Sequence, residues 1–337
     1  MLARCSGPWM PRGSLEPLPV KLHGSALSAA SGDAGDRMPL TNSKRNAALA
    51  ALVAAMTIWG STFVVTKVVM QEFPPLTLAF LRFAIASCVL LAVMRGFGAL
   101  VKLRAISLWR LIFLATSGIA LFTAGFNLAL LYGSAAQGAL LYATIPAVVA
   151  ISAVLFLNET LDRRRVLGIA LSVGGAAIIV LTGEASFDSA PKPLLAAGLM
   201  LWTVILWGAY TVAAKPIAAA DHTVVIFAIC AIGSLLLLPA SIVELALGGW
   251  PETSGFGWAG VLYLGLFASA ACYALYQFAL RELDASTVGV FTNIDPVVGL
   301  VTAFVFLGEG LSMGQAGGAL VVLAGMWLAS APARERV

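Results

Sequence analysis

Ten apolar stretches, each near twenty residues and bounded by charges, prolines or glycine-polar breaks, run through this chain. They fall at about 47–70, 76–94, 108–132, 137–157, 165–182, 194–213, 223–246, 257–280, 286–307 and 314–331. A helix needs ~20 mostly apolar residues to cross ~30 Å of hydrocarbon. Lipid offers no partner for an unpaired backbone group, so such stretches must be helical. Composition agrees. The 337 residues are 60% hydrophobic and 11% charged, with a mean hydropathy of +0.96. Soluble domains run at roughly 45–50% apolar and about 25% charged. The expected fold is an all-α membrane protein with ten transmembrane helices. Residues 1–46 differ, with Pro8, Pro11, Pro17 and Pro19 and no apolar core of signal-peptide length. They read as a disordered N-terminal extension, with Met38 as an alternative start.

Charge in the loops sets the expected orientation. Lys44, Arg45, Arg95, Lys102, Arg104, Arg110, Arg163, Arg164, Arg165, Lys215, Arg281, Arg334 and Arg336 fall on one side of a ten-span arrangement, whereas the opposite loops carry Lys192 alone. The positive-inside rule then places both termini in the cytoplasm and the chain in the cytoplasmic membrane. The net charge of +4 comes from scattered residues and makes no nucleic-acid face. The four cysteines are isolated and show no metal or disulfide spacing, so no metal or cofactor is expected.

The sequence also repeats itself. Trp59-Gly60-Ser61, with Lys67 eight residues after the Trp, returns as Trp207-Gly208-Ala209 with Lys215. Pro146, Asn158-Glu159 and Leu161 return as Pro296, Gly308-Glu309 and Leu311, and Gly168 and Gly175 return as Gly318 and Gly325. Two five-helix units are expected, 47–182 and 194–331. Because five is odd, the second enters the membrane from the opposite face. An inverted repeat of this kind is a common transporter architecture, with the solute site near the midplane between the units.

These residues resemble EamA-type transporters of the drug/metabolite transporter superfamily. The likeness rests on Trp59 to Phe63, on Leu81-Arg82-Phe83, and on the paired patterns Pro146…Leu157-Asn158-Glu159-Thr160-Leu161 and Pro296…Leu307-Gly308-Glu309-Gly310-Leu311. The resemblance implies ten-helix exporters of amino acids, other metabolites or drugs, driven by proton gradients or exchange. It also implies an acidic residue before the proline of each repeat. Asp295 keeps it in the second, while Ile145 replaces it in the first, which removes any scheme needing two symmetric carboxylates.

Charge inside a bilayer costs at least ~2.5–3.5 kcal/mol, so the charged residues within spans are candidates for function. Asp295 is expected near mid-depth of the ninth helix, beside a kink at Pro296. There it binds a proton or an amino group in alternation, or pairs structurally with Arg82 or Lys67. Arg82 either holds a substrate carboxylate or braces helix-end carbonyls. Lys67 and Lys215 either snorkel or take part in gating, together with Glu159, Glu309 and the hinge prolines Pro146 and Pro296. Trp59, Thr62, Trp207, Tyr210 and Tyr276 are expected to line an aromatic cavity or pack in the core. Asn127, Gln277 and Asn293 are buried amides that need partners, from solute or from a neighbouring helix.

Other functions find little support. No His-Glu-x-x-His or Gly-x-Gly-Asp appears, the only histidines are His23 and His222, and no phosphate loop is present. The reading is a non-enzymatic secondary transporter whose partners are a small solute, membrane lipid and protons. A passive channel or a lipid permease is the alternative.

Overall fold

The computed structural model describes residues 42–94, 97–157, 163–182, 191–214, 221–282, 291, 294–310 and 312–330. Residues 1–41 of the N-terminal extension, Glu159, Lys215 and Asn293 lie outside these residues, as does the start expected for the ninth helix at 286, while 42–46, expected to be disordered, belong to the first helix. Among the described residues the elements are helical. In chain order they are α1 (Asn42–Val69), α2 (Pro75–Val93), a 3-10 segment (Phe97–Ala105), α3 (Leu108–Ala115) and α4 (Leu121–Tyr132). Then follow α5 (Ala135–Tyr142), α6 (Ile145–Leu157), α7 (Arg163–Thr182), α8 (Pro193–Ala214), α9 (His222–Gly248), α10 (Gly255–Gly265), α11 (Cys272–Glu282), α12 (Ile294–Leu307) and α13 (Met313–Ser330). Short π segments, Thr116–Ala120 and Leu266–Ala271, join α3 to α4 and α10 to α11.

Six helical stretches are long and apolar enough to cross a membrane: Lys44–Val69, Pro75–Val93, Leu108–Tyr132, Pro193–Thr211, Thr223–Gly248 and Gly255–Tyr276. The apolar stretches Ala135–Val149, Val166–Ile179, Ile294–Leu307 and Met313–Gly325 are shorter.

Helix starts follow local chemistry. Pro75 opens α2, where its missing N–H would have had no partner. Ser134 and Ser254 cap α5 and α10 by accepting from Gln137 N and Gly257 N. Ser312 and Gln315 form a reciprocal capping box before α13.

One expectation changes. The fourth apolar run is not one helix, because Ala143 and Thr144 interrupt it between α5 and α6. Pro146 stands second in α6, where a proline removes no helical hydrogen bond, so it marks a helix start and makes no kink. Asp295 and Pro296 lie in α12 as described from Ile294, and the two residues before it are outside the described ones.

Close packing comes from small residues. α1 packs on α12 and α8 on α6, while α7 runs along α13. A Cβ on Gly60 would lie 2.6 Å from the Asp295 carbonyl oxygen and from Val298 Cβ. A Cβ on Gly208 would lie 2.9 Å from Val148 Cγ1. Gly175 and Gly318 similarly place backbone against backbone between α7 and α13. With lipid outside, such contact supplies the packing energy that hydrophobic burial gives in water.

One end of the bundle is held by carboxylates that cap helices across the middle of the sequence. Glu309 accepts from Ala135 N at 3.1 Å and Ala136 N at 2.8 Å, and pairs with Lys67 Nζ at 2.7 Å. Lys67 also donates to the Gly133 carbonyl at 2.9 Å. Glu244 accepts from Leu76 N, Thr77 N and Thr77 Oγ1. Glu72 accepts from Ser254 N and Oγ, both at 2.7 Å. Those bonds, the backbone one first, hold the Glu72 carboxyl below its ordinary pKa. Its contribution is therefore present above the usual carboxylate range and is lost as pH falls through the lowered value. Each of the three contacts joins a residue before Thr182 to one after Pro193. An anion at a helix N-terminus also meets the favourable end of the helix dipole.

At the other end, the described residues contain one ion pair, Lys102–Asp221 at 2.8 Å, with side chains 61% and 34% exposed. Lys67 and Glu309 are 30% and 14% exposed. An open surface pair is worth at most ~1 kcal/mol, so the carboxylate-capped end is the tighter one. Glu309→Gln is expected to lower stability by about 1–3 kcal/mol. Lys67→Met added to it should cost little more. Thermal unfolding in detergent of the two single variants and the double variant checks this, and additive losses would contradict the coupling.

Candidate solute site

A cavity of about 90 Å³ lies between elements from both parts of the sequence. A buried water needs roughly 10–15 Å³ on this measure, so the space holds several waters or part of a small solute. Its walls are mostly aromatic. Trp59 sits edge-on to Tyr273 and tilted against Tyr276, both at 5.5 Å between centroids. Phe122 lies 5.3 Å from Trp207, and Phe63 lies 5.5 Å from Tyr142. Thr62 lines the same space, with its hydroxyl donating to the Trp59 carbonyl at 2.6 Å. The Trp59 indole Nε1 donates to the Ala268 carbonyl at 2.8 Å, which fixes the ring.

Two charged groups enter this aromatic space. Asp295 lines the cavity at 9% exposure, and its Oδ1 is buried without a hydrogen-bond partner. Arg82 lines it from α2, donating through Nε to Ser269 Oγ at 2.7 Å and through Nη2 to the Ala268 carbonyl at 3.4 Å. Its Cζ stands 5.3 Å from the Phe83 ring centroid. Among the described residues the ion pairs are Lys67–Glu309 and Lys102–Asp221, so neither Arg82 nor Lys67 pairs with Asp295. The start of α6 also reaches this space through Ile145, beside Asp295 and Pro296 of α12. An interrupted helix at a cavity presents backbone N–H groups and a positive dipole end to whatever occupies it.

The expected residues divide into groups. Trp59, Thr62, Arg82, Trp207, Tyr276, Asp295 and Pro296 all line the cavity. Tyr210 stacks behind Trp207 at 5.1 Å and is not part of the lining. Asn127 lies elsewhere, with its Nδ2 donating to the Pro75 carbonyl at 2.8 Å, so it ties α4 to the start of α2. Lys67 and Glu309 meet at the capped end. Gln277 belongs to α11, and its side chain is not among those described. Phe63, Phe83, Phe122, Phe126, Tyr142 and Tyr273 line the cavity without having been expected there. Phe63 and Phe83 belong to motifs the sequence does show, and the i, i+4 spacing of Phe122 and Phe126 on α4 and the i, i+3 spacing of Tyr273 and Tyr276 on α11 are a weaker signal.

The EamA-like transporter family model matches residues 46–181 and again 194–331. An uncharacterized transporter of Archaeoglobus fulgidus is 30% identical over 288 residues, covering 83% of this chain and 96% of that protein. A probable terminal-alkyne amino-acid exporter of Streptantibioticus cattleyicolor is 28% identical, covering 79% of this chain and 87% of its own. A probable amino-acid metabolite efflux pump of Salmonella typhimurium is 27% identical, covering 85% and 95%. A crystal structure at 20% identity and a TM-score of 0.60 covers 84% of this chain and 96% of its own, a likeness of fold. With a family match over most of its length, laid on a bundle of apolar helices, this chain is a multi-pass membrane protein that belongs to the EamA-like transporter family.

Proposed function

We propose that this chain is a secondary active exporter of small metabolites, amino acids or drugs among them, working by alternating access in the cytoplasmic membrane. The observation that carries the reading is the cavity itself. A buried carboxylate with a free oxygen and a guanidinium with spare donors face one aromatic space between the two parts of the sequence. Charge left unpartnered at such depth costs several kcal/mol unless something that comes and goes supplies the partner. Asp295 takes a proton or a solute amino group in alternation, Arg82 takes an anionic group, and the rings take the apolar remainder.

The chain makes ten crossings in two inverted five-helix halves, 47–182 and 194–331, with both termini in the cytoplasm. Several observations support this. The family model matches twice. The π segments begin at Thr116 and at Leu266, 150 residues on. Gly60 meets Val298 as Gly208 meets Val148, a reciprocal contact that a two-fold relation between halves produces. Basic loops orient the assembly so that the end capped by Glu72, Glu244 and Glu309 faces outward. That end is the closed gate, and Lys67–Glu309 must separate before solute leaves through it. Two relatives carry names of amino-acid exporters or efflux pumps, which supports an amino-acid-like cargo here.

Purified protein in liposomes, screened with amino acids, organic cations and nucleosides, tests the proposal. Accumulation against a solute gradient, driven by a proton gradient and abolished by a protonophore, is the expected result. Flux that only equilibrates would mean a passive channel. Asp295→Asn should slow transport by at least about tenfold, or ~1.4 kcal/mol, and flatten its pH dependence. A wild-type rate with unchanged pH dependence would overturn the role given to Asp295.

A further inference from the structure

In an α-helix each carbonyl is taken by the N–H four residues on. A π segment widens that spacing, and such segments appear mostly as single turns inside α-helices, frequently at functional sites. The one at Leu266–Ala271 turns its backbone to a use outside the helix. The Ala268 carbonyl accepts from Trp59 Nε1 at 2.8 Å and from Arg82 Nη2 at 3.4 Å. The next residue, Ser269, is fully buried and accepts from Arg82 Nε at 2.7 Å. Its own proton goes to the Leu264 carbonyl at 2.9 Å, so the hydroxyl is held with its lone pairs toward the guanidinium. One π turn thus fixes both a ring and a cation of the cavity wall.

Orientation of Arg82 follows from this count. A guanidinium has five N–H donors in a rigid plane. Ser269 takes the Nε hydrogen and Ala268 takes one on Nη2. Both Nη1 hydrogens and the second on Nη2 remain, and one on each Nη form the end-on edge that grips a carboxylate with two parallel bonds. No carboxylate of the described residues lies within ion-pair distance of that edge. Among the described residues that line the cavity, Arg82 is the one cationic side chain.

We propose that Ser269 and the π turn are the positioning device for a carboxylate subsite at Arg82, and that the solute therefore carries a carboxylate beside an apolar, ring-contacting group. Ser269 touches no solute. It acts through Arg82, and its loss lets the guanidinium swing off the edge-on pose while the charge stays. The proposal rests on the transport reading above and narrows it to a cargo class.

The test compares L-phenylalanine, 3-phenylpropionate and phenethylamine, which share a ring and differ in carboxylate and ammonium. Binding to the full chain in nanodiscs is measured by calorimetry. Wild-type protein is expected to bind L-phenylalanine and 3-phenylpropionate. Ser269→Ala should weaken both by about tenfold or more, the scale of one well-made charged hydrogen bond, and leave phenethylamine unchanged. Arg82→Lys, which keeps the charge and loses the fork, should give the same split and makes the comparison even where Ser269→Ala does not fold. Equal weakening of all three probes, or no change in any, would overturn the positioning role. Silence of both carboxylate probes in the wild type would overturn the cargo class. It would leave the transport reading standing, since that rests on accumulation of any solute.

Discussion

A charge removed from water must find a partner, and the charged groups of this bundle separate into those that have one and those that do not. Glu72, Glu244 and Glu309 each accept backbone N–H bonds at the start of a helix, and Lys67 donates to both Glu309 and a helix-end carbonyl. Their needs are met within the chain, so they hold it together. Asp295 keeps a buried oxygen with no partner, and Arg82 keeps donors to spare. Those two groups meet in the same cavity, and in the proposed mechanism a transported solute or proton meets that need.

Backbone irregularity does the positioning. The break at Ala143–Thr144 brings the start of α6 to the cavity, beside Asp295 and Pro296. The π segment before α11 releases the carbonyl that fixes Trp59. Regular helices would bury all of these backbone groups in their own ladders and leave side chains alone to build the site. Irregular backbone at membrane depth is tolerated where it lines a cavity. Gly60 adds to the same arrangement by letting α1 approach the Asp295 carbonyl.

Much of this was legible in the chain, and the limits were physical. Length and apolarity suffice for a helical membrane bundle, because lipid permits little else. Trp59, Arg82, Trp207 and Asp295 stood out because a charge in an apolar run is costly to keep and a motif repeated there rarely arises by chance. All four line the cavity. Phe122, Tyr142 and Tyr273 did not stand out, since aromatic residues in apolar helices are common and their faces depend on packing. For Asn127 the sequence leaves solute and neighbouring helix both open, as nothing local tells that its amide donates to the Pro75 carbonyl. Glu244 passed unnoticed because a carboxylate near a helix end normally faces water, and the helix start it caps is 167 residues away in sequence.

In the proposed mechanism one cavity, containing Asp295 and Arg82, faces each side of the membrane in turn, with the end tied by Lys67 and Glu309 as one gate. The direct measurement places a cysteine at Thr62, a lining position, in a background without other cysteines. Its modification by a membrane-impermeant thiol reagent is then followed from either side of oriented vesicles. Labelling from both sides is expected, with solute slowing each. Labelling from a single side, unchanged by solute and by loss of the Lys67–Glu309 pair, would contradict the account.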